Sequence, residues 1–122
     1  MLTAERVIAR VDDYKPNGYG TAEKLEVLYG LEKRIEAEII DTHENPDGVG
    51  ISLLPDCSDP ALPLIAEDHP DMYFYRLLAA VDLHNGDLTR YNNDAALFNE
   101  AYDAFRREYN RAYPAKQVKL RY

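Results

Sequence analysis

The chain has 122 residues, 46% of them hydrophobic, and a formal charge of −8; this is one domain's worth of apolar material, enough for a core that needs neither disulfides nor metal, and the lone Cys57 excludes an internal bridge. All 22 acidic residues precede Pro114, against 11 Lys and Arg, so the body carries −11 while Lys116, Lys119 and Arg121 give the following segment +3. Such a body repels a DNA backbone and such a tail seeks an acidic partner; with no signal-like N-terminal stretch, and with the longest nearly apolar run, Met72 to Leu83, broken by Arg76 and Asp82 and too short to span a bilayer, a soluble protein made inside the cell is expected.

In chain order, Thr3 is a plausible cap for a short amphipathic helix through Ala4, Val7, Ile8, Val11 and Tyr14. It stops at Lys15-Pro16-Asn17-Gly18, where proline and an Asn-Gly pair supply a turn. Thr21 can cap a second helix whose Leu25, Leu28, Leu31, Ile35 and Ile39 keep helical spacing to about Asp41. Gly30 lies inside it at a propensity cost of roughly 1 kcal/mol relative to alanine; close packing and simple tolerance both remain open as reasons.

Residues 41–68 differ in kind, with Pro46, Pro55, Pro60 and Pro63, seven acidic residues and no Lys or Arg. Loops of this length inside a compact domain are functional or mobile. Ile51-Ser52-Leu53-Leu54 and Leu62-Pro63-Leu64-Ile65 are its apolar patches, able to form a short hairpin or to lie on the helices. A third helix follows with Pro70 in its first turn, and Met72 to Leu83 leave it almost no polar face, so it must be covered on several sides, in part by another subunit at Tyr73, Tyr75 and Leu77.

Asn85-Gly86 ends that helix and Asp87 can cap a long fourth one, folded back antiparallel across the short connection. There Leu88, Tyr91, Ala95, Phe98, Tyr102, Phe105, Tyr109 and Ala112 form one apolar stripe, while Asn92, Asn93, Asp94, Asn99, Asp103, Arg106 and Arg107 fall on the wet side. After Pro114, Val118, Leu120 and Tyr122 alternate with Gln117, Lys119 and Arg121, the pattern of a frayed end or of an arm that adds a strand to a neighbour. The expected fold is therefore all-α: a bundle of about four helices over residues 1–113, with a long central C-terminal helix and a long acidic loop, and an extended basic C-terminal arm over 114–122.

The usual catalytic signatures are missing: no phosphate-cradling glycine loop, no G-x-S-x-G elbow, no H-E-x-x-H and no cysteine pair for zinc. His43, His69 and His84 stand far apart, and His84 is placed to interact with the end of its own helix. Asp56, Asp59, Glu67 and Asp68 lack the regular spacing of a calcium loop and read as solvated acid. Acidic neighbours dull Cys57 as a nucleophile. An enzyme using loop acids and histidines with a metal is thus disfavoured, and no cofactor is expected.

The run Leu83-His84-Asn85-Gly86-Asp87, then Arg90-Tyr91-Asn92-Asn93, Ala96-Leu97-Phe98-Asn99, Tyr102, Phe105 and Tyr109-Asn110-Arg111 resembles the head-to-tail connector, or adaptor, family of long-tailed phages. Arg6, Val11-Asp12, Lys15-Pro16-Asn17 and Ile39-Ile40-Asp41-Thr42-His43 stand in comparable places, so the similarity covers most of the chain. Departures are Glu108, where the family pattern has a bulky aromatic residue, and the segment after Tyr113.

The resemblance implies a helical structural protein of the virion neck, resident in the host cytoplasm during assembly, that forms a dodecameric ring beneath the portal protein. Its other partners would be the next neck or tail component (stopper or tail terminator) and copies of itself, with DNA passing through unbound and no membrane contact. On that reading Lys116, Val118, Lys119, Leu120, Arg121 and Tyr122 are the portal-binding arm, and Asp56, Asp59, Glu67 and Asp68 line the DNA channel with charge that does not hold DNA. The acidic body also fits a small regulatory or inhibitory protein that binds a basic partner by nucleic-acid mimicry.

Overall fold

A computed structural model describes residues 1–56 and 59–116. Four helices account for most of them: α1 Ala4–Tyr14, α2 Thr21–Ile35, α3 Pro70–His84 and α4 Leu88–Ala112. Thr3 caps α1 by accepting the Arg6 N–H at 3.3 Å, and Asp87 caps α4 by accepting the Arg90 N–H at 3.2 Å. Thr21 is the first residue of α2, with Gly20 in the cap position. Between α3 and α4, Gly86 takes φ +74°, a left-handed turn that only glycine adopts without strain.

α2 runs directly into one wide turn, Glu36–Ile40, in which the Asp41 N–H reaches back five residues to the Glu36 carbonyl at 2.8 Å. The widening matters for packing. At α-helical spacing Ile39 follows Ile35 onto the core face and Ile40 falls about 100° away, yet here both Ile39 and Ile40 are buried.

The middle of the bundle belongs to α3, which packs on α1, α2 and α4. Most of its nearly all-round apolar surface is covered by its own chain: Met72, Tyr73, Leu77 and Val81 are fully enclosed, while Tyr75 and Ala80 are half-buried and Leu83 is exposed. The long α4 lies along one side and buries Phe98, Tyr102, Phe105 and Tyr109 from the expected stripe. That stripe is driest from Phe98 to Tyr109 and wet at both ends, where Leu88 is 62% exposed and Ala112 is exposed as well. Asp94, expected on the wet side, is buried instead.

The described residues of 41–69 lie on the helices and make no hairpin among themselves. Leu53, Leu64 and Ala66 enter the core, and Thr3 and Pro63 form an isolated bridge beside hydrogen bonds from Leu64 N–H to the Leu2 carbonyl and from Glu5 N–H to the Pro60 carbonyl, each 3.0 Å. Gly30 is exposed in α2, and a Cβ added there would meet nothing within 4 Å, so tolerance and not close packing explains it. Among the described residues no helix is long and apolar enough to cross a membrane.

Candidate functional site

Phe105, Tyr109 and Tyr113 recur every fourth residue, so α4 and its first residue beyond set three rings on one face. The rings follow one another, with centroids 6.0 Å apart for Phe105 and Tyr109 and 4.6 Å for Tyr109 and Tyr113. Opposite them runs the strap Ile65–His69, and with Val49 the two walls enclose a groove of about 280 Å³.

The strap is fastened from below. Glu32 of α2, fully enclosed, accepts the Ile65 N–H at 2.8 Å and the Tyr73 hydroxyl, while that hydroxyl accepts the Ala66 N–H at 3.0 Å. Burial pushes the Glu32 carboxyl above its ordinary range, against the two hydrogen bonds that favour its charge. At the far end His69 meets Glu108 at 2.9 Å and sets its ring edge-on to Phe105 at 5.0 Å. Glu108 thus serves as a partner for His69.

Among the described residues the groove is electrically one-sided: Glu67, Asp68 and Glu108 line it with His69, and neither Lys nor Arg does. Tyr113 donates its hydroxyl to Asp47 at 3.2 Å, which holds the phenol above its ordinary pKa. The Tyr109 hydroxyl has no hydrogen-bond partner among the described residues, and burial, then the neighbouring Tyr113 and Asp47, push it up as well. Behind Tyr109, His43 is held at both ring nitrogens, Nδ1 donating to the Ile39 carbonyl at 2.6 Å and Nε2 meeting the Asn110 side-chain amide at 2.5 Å.

Of the expected channel acids, Glu67 and Asp68 come together at this groove. Asp56 and Asp59 are exposed in the segment before it and do not line it; Asp59 accepts the Ala61 N–H at 3.0 Å. The expected subunit contacts need correction. Tyr73 and Leu77 are 0% exposed inside their own chain and offer a neighbour no surface, whereas Tyr75 is half-buried against Phe74. Lys116 is exposed, with its N–H donated to the Thr42 carbonyl at 3.0 Å. Val118, Lys119, Leu120, Arg121 and Tyr122, like Cys57, lie outside the described residues.

The three histidines serve separate places, His84 packing at a tilt of 44° against Tyr19 with centroids 4.8 Å apart. Among the described residues no group of three or more His, Cys, Asp or Glu is arranged to hold a metal ion.

A second polar cluster joins α1, α3 and α4. Lys15 pairs with the buried Asp82 and lies 3.9 Å from Asp87, and Asp94 shares a hydrogen bond with Asp82. Burial first, then the hydrogen bond and charge of Asp82, raise the Asp94 carboxyl to about 7. The cluster's own ammonium fills the place a bound cation would take, so it acts as an internal clamp between helices. The sequence signal was Asp82 interrupting an apolar helix; Asp94 gave none. No family model, no curated protein and no solved structure matches this chain.

Proposed function

We propose that the chain is a structural component of a tailed-phage virion, a head-to-tail connector whose copies form a ring beneath the portal, extend the DNA channel and present a surface to the next neck component. The observation that carries this reading is how the residues of the resemblance are used. Ile39–His43 and Tyr109–Arg111 lie far apart in sequence, yet His43 bonds Asn110 across 67 positions and packs edge-on to Tyr109. Lys15 of the Lys-Pro-Asn turn likewise reaches Asp82 and Asp87 at the α3–α4 connection. Among the residues of the resemblance, Lys15, His43, Tyr109 and Asn110 thus join distant parts of the chain, which supports reading that likeness as one of fold.

Two further features suit the role. Leu83 and Leu88, 52% and 62% exposed, flank the α3–α4 turn and give a neighbouring component apolar surface. The acidic body lets DNA pass without the salt-dependent grip that a Lys and Arg lining would have.

The test is co-sedimentation with portal rings from the phage that encodes the chain, followed by imaging. A defined ring of added density on the portal is the expected result. Absence of binding across salt and concentration overturns the reading and favours the acidic regulatory binder.

A further inference from the structure

The central helix α3 leaves one line of its surface open. Arg76, Ala80 and Leu83 follow one another at gaps of four and three, so they fall in a row along it. Arg76 and Leu83 are exposed and Ala80 is half-buried, whereas the neighbouring Leu77, Ala79 and Val81 are buried. Two clefts run along this row, of about 400 Å³ and 180 Å³, and they share Arg76 and Tyr91. α2 supplies Val27 and Arg34 to one bank, and α4 supplies Tyr91, Ala95 and Phe98 to the other.

The charge of these clefts is opposite to that of the chain. Although the sequence holds 22 Asp and Glu and a net charge of −8, no described carboxylate lines either cleft, while Arg34, Arg76 and His84 do. Both arginines converge on one ring, with guanidinium carbons 5.7 Å and 5.6 Å from the centroid of Phe98. Arg34 also pairs with Glu38 at 3.1 Å, but among the described residues Arg76 has no carboxylate partner. A guanidinium left unpaired beside apolar surface is ready to take a carboxylate, because its planar fork matches both oxygens.

The chemistry of this face selects among occupants. Nucleic acid carries charge along its whole length and is repelled by the acidic body. A second copy has no free amphipathic helix to lend among the described residues, since α1, α2 and α4 all pack on their own α3. A helix with an apolar stripe and a few carboxylates meets both demands: the small side chains of Ala79, Ala80 and Ala95 admit a close approach, and the arginines receive the acids.

We propose that the open face of α3 docks an acidic amphipathic helix of another protein, with leucine-type side chains on Ala80 and Leu83 and carboxylates on Arg76 and Arg34. This contact is separate from portal binding and is decided without it.

The probe is a short acetylated helical peptide with leucines along one face and a pair of glutamates beside them, set against the same peptide with glutamines in their place. Each is titrated into the isotope-labelled full chain while the side-chain resonances of Arg76, Ala80 and Leu83 are followed. The glutamate peptide should shift them saturably and bind about fivefold more tightly than the glutamine peptide, a margin within reach of surface charge pairs and one that shrinks in high salt. Arg76→Glu should abolish the margin and leave the affinity of the glutamine peptide as it was, with circular dichroism confirming native helix content. Leu83→Ser, at an exposed position, should weaken both peptides alike. No saturable shift on this face, equal affinity of the two peptides, or a margin that survives Arg76→Glu overturns the proposal. So does tighter binding of a single-stranded oligonucleotide at the same resonances, which would make the face a phosphate site. Concentration-dependent shifts there in peptide-free chain overturn it too, by making a second copy the occupant.

Discussion

Asp94 sits where two carboxylates and one ammonium meet in a buried place. Asp82 is already paired with Lys15, so an ionised Asp94 would add an unmatched negative charge beside it. The proton is therefore held to about pH 7, well above the model-peptide value of 3.8. A carboxyl whose folded pKa is raised stabilises the fold fully below its unfolded pKa, and that stabilisation is lost as pH climbs through the folded value. Asp94→Asn keeps the shape and the donor to Asp82 but removes the titration. The variant should be more stable than the native chain at pH 8, by on the order of 1 kcal/mol, with the gap closing toward pH 4. Urea unfolding of both proteins at the two pH values measures it; an equal gap at both would mean that Asp94 does not titrate in this window. Comparing variant with native chain also cancels Asp12 and Glu38, whose lowered pKa values act in the opposite direction.

Among the elements, α2 offers the simplest gain. Gly30 is helical and exposed with open space around its missing side chain, so Gly30→Ala should raise stability by about 0.5–1 kcal/mol, read as a higher urea midpoint with an unchanged slope. The strap offers the opposite case. Glu32→Ala leaves the Ile65 N–H and the Tyr73 hydroxyl without their acceptor in the core, at a cost of about 2–4 kcal/mol. Amide exchange at Ile65 and Ala66 should then speed up more than exchange in α4; uniform acceleration would show that the strap is not a separate unit. These two positions also mark what was legible beforehand. The helices, their Thr3 and Asp87 caps and the Gly86 stop follow from local spacing and side-chain chemistry, which the sequence displays directly. The path of residues 41–69 does not, because it depends on pairings such as Glu32 with Ile65 and His69 with Glu108 that join distant positions without a repeating pattern. The groove was half visible: Glu67, Asp68 and Tyr109 stood out as acids and stripe, but only the fold brings them to one place.

For the whole molecule, the fold divides the acids that the sequence grouped. Glu67 and Asp68 border the aromatic groove, where their charge faces rings and His69, whereas Asp56 and Asp59 stand on the exposed segment before the strap. The two pairs should therefore answer to different experiments if the chain is a ring around a DNA channel. Lysine at positions 67 and 68 would set cations beside the rings and His69 of the groove. Lysine at 56 and 59 acts on DNA only if that segment faces the lumen, where each new cation would bind backbone phosphate and displace its counterions. Phage carrying Asp56→Lys with Asp59→Lys should then assemble in normal yield and eject DNA more slowly, with the delay shrinking as salt is raised. Ejection at the native rate, from particles of normal composition, would remove Asp56 and Asp59 from the channel wall. A delay insensitive to salt would point to altered packing of the ring, because a phosphate contact must weaken as counterions compete for it.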